Sequence, residues 1–266
     1  MPDFDLTQII IGFLSTGLLV GLMVAGVLSL AFRPELIHAY TRPRAIAAWS
    51  ATAGVSFLAI ALLLADALSS GERWHAFTGL STGIVITLVV ALCCWGLAMQ
   101  RNARLHRPWG PSESRGVTLF SIGAIAWSIG SMVVLAQLVP LEIPENSFLQ
   151  DVTPENPLFF AGVFAFAMVA AVLEEIIYRG ALVGLLEKTP LRDGGAILVA
   201  AFLFALAHGG YTTSFGPKEV QIVGLGVILG YARLRYGLSA AVIVHLANNF
   251  FAMTLTLFQL EIPGVQ

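Results

Sequence analysis

Apolar positions in this chain do not alternate with polar ones over short stretches. They gather into runs near twenty residues, about the length an α-helix needs to cross a lipid bilayer. Eight such runs follow one another: about Ile9–Phe32, Ala45–Leu68, Phe77–Gln100, Val117–Val139, Leu158–Leu186, Gly194–Gly209, Val220–Leu234 and Leu238–Leu257. Counted as eight, they predict an all-α, polytopic membrane protein. Pro140–Pro157 breaks the series: it is rich in proline, holds Glu142, Glu145, Asp151 and Glu155, and has no Lys or Arg. It divides the chain into an N-terminal four-helix region (1–139), an acidic linker (140–157) and a C-terminal four-helix region (158–266). No repeat of solenoid period and no low-complexity tract is present.

Composition supports the membrane reading. Of 266 residues, 57% are hydrophobic and 11% charged, whereas a soluble domain is about 25% charged. Mean hydropathy is +0.84. A net charge of -2 with no basic cluster gives no reason to expect nucleic acid. Cys93 and Cys94, adjacent in an apolar run, exclude a disulfide framework and match no metal-ligand spacing. No Lys or Arg precedes the first run, whereas Asp3 and Asp5 do, so the run reads as a retained helix rather than a secretory signal.

The distribution of cations sets an orientation. Loops after the odd-numbered helices hold Arg33, Arg42, Arg44, Arg101, Arg104, Arg107, Arg115, Lys188, Arg192, Arg233 and Arg235, while the opposite loops hold only Arg73 and Lys218. The positive-inside rule makes the first set cytoplasmic and both termini external, as expected of a multi-pass protein of the plasma (inner) membrane. His38, His75 and His106 then fall in solvated loops, Asp66 near a helix end, and Gly226 and Gly230 where helices approach each other.

Three polar clusters interrupt the C-terminal runs. The fifth carries Leu173-Glu174-Glu175-Ile176-Ile177-Tyr178-Arg179-Gly180, the sixth ends on Phe204-Ala205-Leu206-Ala207-His208, and the eighth contains His245-Leu246-Ala247-Asn248-Asn249. A charge at the centre of a membrane helix costs about 2.5–3.5 kcal/mol, so each demands a partner, a wet cavity or a task. Glu175 and Arg179 stand at i,i+4 in the orientation that favours an ion pair. Glu174, rotated about 100° from Glu175, is left without a local partner. A lone carboxylate in a low-dielectric pocket suits a general base near neutral pH. Each cluster taken singly also reads as polar glue between helices. Taken together, carboxylate, imidazole and amide groups suit hydrolysis by activated water. Neither Gly-x-Ser-x-Gly nor His-Glu-x-x-His occurs.

Glu174-Glu175-x-x-x-Arg179, Phe204-x-x-x-His208 and His245-x-x-x-Asn249 resemble the three motifs of the CPBP family, the CAAX proteases and bacteriocin-processing enzymes also called Abi or Rce1-like intramembrane proteases. The likeness covers about Leu158–Thr256, including Leu229-Gly230-Tyr231-Ala232-Arg233 and Gly237-Leu238-Ser239. It implies an eight-helix fold with a conical cavity open to the cytoplasm. It also implies an endopeptidase acting on a membrane-associated or lipidated peptide within the bilayer. By resemblance, Glu174 activates water with His208 assisting, His245 and Asn249 stabilise the oxyanion, and Glu175 and Arg179 support them. Tyr178 and Phe204 are expected to shape the pocket, and Asn248 to pack between helices. The expectation is a metal-free site, although Glu174, His208 and His245 are of the type and number that a catalytic zinc requires. The remaining alternatives are a non-catalytic scaffold or immunity-type protein of the same fold, and a small proton-coupled transporter.

Overall fold

The computed structural model describes residues 108–138, 157–208 and 216–257. The three predicted N-terminal helices, the acidic linker, Cys93 and Cys94, Asp66 and the loop histidines at 38, 75 and 106 lie outside the described residues. Among those described, every regular element is helical. The order is α1 (Pro111–Leu138), α2 (Pro157–Glu175), a π-helical segment (Ile176–Leu182), α3 (Val183–Leu186), α4 (Arg192–Ala207), α5 (Pro217–Tyr236) and α6 (Leu238–Leu257). Two stretches, Pro111–Leu135 and Leu238–Leu255, are long and apolar enough to cross a membrane.

Several boundaries differ from the hydropathy reading, because polar residues cap helices without lowering their helicity. α1 starts at Pro111 rather than near Val117, which puts Arg115 in its first turns instead of a loop. Proline suits the first helical position, where its missing N–H has no partner to lose. Glu113 accepts a bond from the Gly110 N–H at 3.0 Å. α5 likewise starts at Pro217, so Lys218 is helical, and Glu219 caps the Gly216 N–H at 2.7 Å. Its C-terminus is closed by Gly237 at φ 90, a conformation that side chains with a Cβ avoid. The fifth apolar run is not one continuous α-helix. After Glu175 it widens into the π segment, where the Val183 N–H bonds the Tyr178 carbonyl five residues back.

Apolar seams hold the described helices together, among them the following. Val117 and Ala124 of α1 meet Leu225 and Leu229 of α5 and Ala240 and Val244 of α6. Met168, Ala171 and Val172 of α2 meet Leu238, Val242 and Leu246 of α6. Val183 of α3 meets Ala196, Ile197 and Ala200 of α4. Polar contacts add to them: Ser128 of α1 donates to Asn248 Oδ1 at 2.7 Å, the helix-packing role expected of that asparagine. Trp109 Nε1 donates to the Tyr236 carbonyl at 3.0 Å, and Glu187, just beyond α3, pairs with Arg233. These contacts bring the start of α1, the end of α3 and the end of α5 to one end of the bundle. Lys188, Arg233 and Arg235 therefore gather there.

α4 and α5 approach each other closely. A Cβ on Gly226 would sit 2.8 Å from Ala201 Cβ and 3.0 Å from its Cα, and one on Gly230 would sit 2.5 Å from Ile197. The two glycines are one turn apart and form the face that lets the backbones meet, as small residues do in membrane helix pairs. Gly226→Val is expected to cost about 1–3 kcal/mol, because α4 must move. Gly123→Ala, facing open space with nothing within 4 Å, is expected to be neutral or slightly stabilising. Thermal unfolding of both variants in detergent checks the contrast.

Candidate active site

The π segment lies beside the residues that carry charge. Glu174 and Glu175 are the last two residues of α2, and Tyr178 and Arg179 fall inside the segment. π turns are uncommon and concentrate at functional sites. Here Arg179 Nη1 reaches Glu175 Oε1 at 2.8 Å, and both side chains are buried, at 1% and 0% exposure. The pairing read from the i,i+4 spacing is present.

This pair is not isolated. Arg179 Nη2 donates to the Gly226 carbonyl of α5 at 3.2 Å, and its guanidinium lies 4.4 Å from the Phe204 ring centroid of α4. That contact is within the range of a cation–π interaction, which strengthens when desolvated. His245 of α6 places Nδ1 2.9 Å from Glu175 Oε1. One carboxylate oxygen thus collects two charged or polar partners from different helices. Oε2 of the same glutamate is buried and has no hydrogen-bond partner.

Glu174 differs from its neighbour. Its side chain is 22% exposed, against 0% for Glu175. It lacks a partner on its own helix, as its rotation implies, but tertiary packing brings two imidazoles to it. His208 Nε2 stands 3.6 Å from Oε1, and His245 Nε2 stands 3.8 Å from Oε2. His208 is the C-cap of α4, and its Nδ1 bonds the Phe204 carbonyl at 2.7 Å. Since a carbonyl only accepts, His208 Nδ1 carries the proton. Both separations exceed direct hydrogen-bond length.

Phe204 is the apolar hub, at 1% exposure. Its ring meets Tyr178 at 5.1 Å, His208 at 4.6 Å and His245 at 5.8 Å between centroids, all edge-on. Asn249 is turned toward α2, where its Nδ2 donates to the Ala167 carbonyl at 3.1 Å. Glu174, Glu175, Tyr178, Arg179, Phe204, His208 and His245 therefore converge directly, and Asn249 lies one turn along α6 from His245. The motifs do not reveal the backbone carbonyls of Gly226, Phe204 and Ala167. Only the small-residue pattern at Gly226 and Gly230 hints at the first. Ser128, the partner of Asn248, is one hydroxyl in an apolar helix and gives no signal. Among the described residues, no group of three or more His, Cys, Asp or Glu side chains is arranged to hold a metal ion.

A buried ion pair thus lies beside a partly exposed carboxylate flanked by two histidines. Residues 156–251 match the family model of the type II CAAX prenyl endopeptidase Rce1-like proteins, and this C-terminal region is Rce1-like. The matched segment holds all three polar clusters. Nothing matches among curated proteins or among solved structures. The family implies a protease activity of CAAX type in the membrane.

The buried pair allows a direct test. Removing one partner of a desolvated ion pair strands the other charge, at a cost of about 3–5 kcal/mol. Arg179→Met is expected to lower stability by that order. Adding Glu175→Gln to it is expected to recover part of the loss, since no lone charge then remains. Unfolding of the two single variants and the double variant, read as a double-mutant cycle, checks this.

Proposed function

We propose that this protein is an intramembrane endopeptidase that hydrolyses a peptide bond of a membrane-associated or lipidated peptide, with Glu174 as the base. The observation that carries the reading is Glu174 itself: a partly exposed carboxylate faced by the Nε2 atoms of His208 and His245. The Rce1-like match over residues 156–251 supports the same reaction class.

The reaction follows from these positions. Water between Glu174 and the scissile carbonyl gives a proton to the carboxylate as its oxygen bonds to the carbonyl carbon, and the C=O π pair moves onto oxygen. His208 orients that water. A proton on His245 Nε2 and the second N–H of Asn249 stabilise the oxyanion, the first Asn249 N–H being held by Ala167. The intermediate then collapses, the C–N bond breaks, and the leaving nitrogen takes the proton from Glu174. This leaves a carboxylic acid, an amine and the original carboxylate. Phe204 and Tyr178 shape the apolar wall. We read the chemistry as metal-free, with substrate and bilayer as the only partners.

Peptide cleavage in proteoliposomes tests this, with hydrophobic and lipidated peptides read by mass spectrometry. Glu174→Gln is expected to lower turnover by about 10²–10⁴-fold without loss of thermal stability. Wild-type cleavage is expected to be indifferent to a chelator. Equal cleavage by both proteins rejects Glu174 as the base. Loss on chelation with rescue by zinc replaces the metal-free reading by a zinc-dependent one.

A further inference from the structure

Glu175 takes no part in the steps above, yet its carboxylate is in direct contact with a reacting ring. Its Oε1 lies 2.8 Å from Arg179 Nη1 and 2.9 Å from His245 Nδ1. An oxygen that accepts from a guanidinium also accepts from the ring, so the ring nitrogen facing it carries the proton. His245 is enclosed, at 3% exposure, with the Phe204 ring edge-on at 5.8 Å and 88°. The groups facing it are Glu174 and Glu175 at the end of α2, Arg179 behind Glu175, and Phe204 and His208 of α4.

We propose that Glu175 is a positioning residue that fixes the tautomer of His245, holding the proton on Nδ1 and turning Nε2 toward Glu174. The proposal rests on the endopeptidase reading and deepens it. With Nδ1–H committed to Glu175, the neutral ring offers only a lone pair at Nε2. His245 then donates to an oxyanion only as imidazolium, gaining and losing that second proton on the side of the reacting groups. Glu175 also supplies the negative charge that balances the imidazolium, as the buried aspartate does in a serine-protease triad. His208 reaches the same tautomer by another route, through the Phe204 carbonyl at 2.7 Å. That ring has a carboxylate, Glu174, near its Nε2, whereas His245 has one near each ring nitrogen, Glu175 at Nδ1 and Glu174 at Nε2. The additional carboxylate suits His245 to oxyanion stabilisation, and leaves His208 to hold the water. Arg179 keeps Glu175 in place through Gly226 and Phe204, which ties the ring's orientation to the crossing of α4 and α5.

The test has a spectroscopic and a kinetic arm. Nitrogen-15 NMR of the His245 ring in nanodiscs, assigned by loss of its signals in His245→Gln, reads the proton directly. A protonated Nδ1 is expected. A ring protonated at Nε2 alone overturns the proposal, and this arm decides it even if no peptide is cleaved, which would count against the endopeptidase reading instead. In Glu175→Gln the amide can donate to the ring as well as accept from it. Its kcat is expected to fall about 10²–10⁴-fold with KM within about twofold, and the share of Nε2–H ring is expected to rise. Glu175→Asp is expected to restore the ring state and part of kcat. Glu175→Gln with wild-type kcat and an unchanged ring state overturns the proposal.

Discussion

The ion pair between Glu175 and Arg179 is the interaction on which the rest of the site depends. Both side chains are essentially sealed from solvent. Taking two charges out of water costs several kcal/mol per ion, and their mutual attraction offsets this only if the remaining donors and acceptors are also met. Arg179 meets that condition through the Gly226 carbonyl and the face of Phe204, and Glu175 meets it at Oε1 through His245, while its Oε2 stays buried without a hydrogen-bond partner. Each of these partners comes from a different helix. The pair therefore fixes how α2, α4, α5 and α6 meet, and it does so at the level where the reacting groups lie.

Close packing makes that convergence possible. The Arg179 guanidinium reaches a backbone carbonyl on α5 only because Gly226 has no side chain and α4 lies directly against it. The π segment contributes from the other side. By widening the helix after Glu175 it carries Tyr178 and Arg179 inward while Glu174 stays at the rim. Two identical, adjacent side chains thereby acquire opposite environments: one buried and ion-paired through one oxygen, the other partly open between two imidazoles. Environment rather than chemistry separates their roles, as it does in enzymes that use two carboxylates for two tasks.

The Rce1-like match spans the part of the chain that holds this arrangement. α1 lies outside it, yet it contributes to the same bundle. Its Ser128 anchors Asn248, and its Trp109 ties the start of the helix to the end of α5. The asparagine pair on α6 is accordingly divided, with Asn248 serving α1 and Asn249 serving α2 beside the reacting groups.

Hydropathy alone determined where the helices run, since burial in lipid or protein selects continuous apolar stretches whatever their partners. Five of those runs fall on described helices, and α6 matches its run end to end. Spacing alone determined the Glu175–Arg179 pair and the separation of Glu174 from it, because both follow from the turn of a helix. The partners of Glu174 were not legible in this way. His208 and His245 lie 34 and 71 positions away in the chain, and no local periodicity encodes such a distance. The starts of α1 and α5 were misplaced because proline and acidic caps read as loop while serving helix N-termini. The π turn was invisible because no residue type demands it. Only the tertiary structure decided which histidine nitrogen faces which glutamate, because that choice depends on hydrogen bonds from side chains that the fold alone brings together.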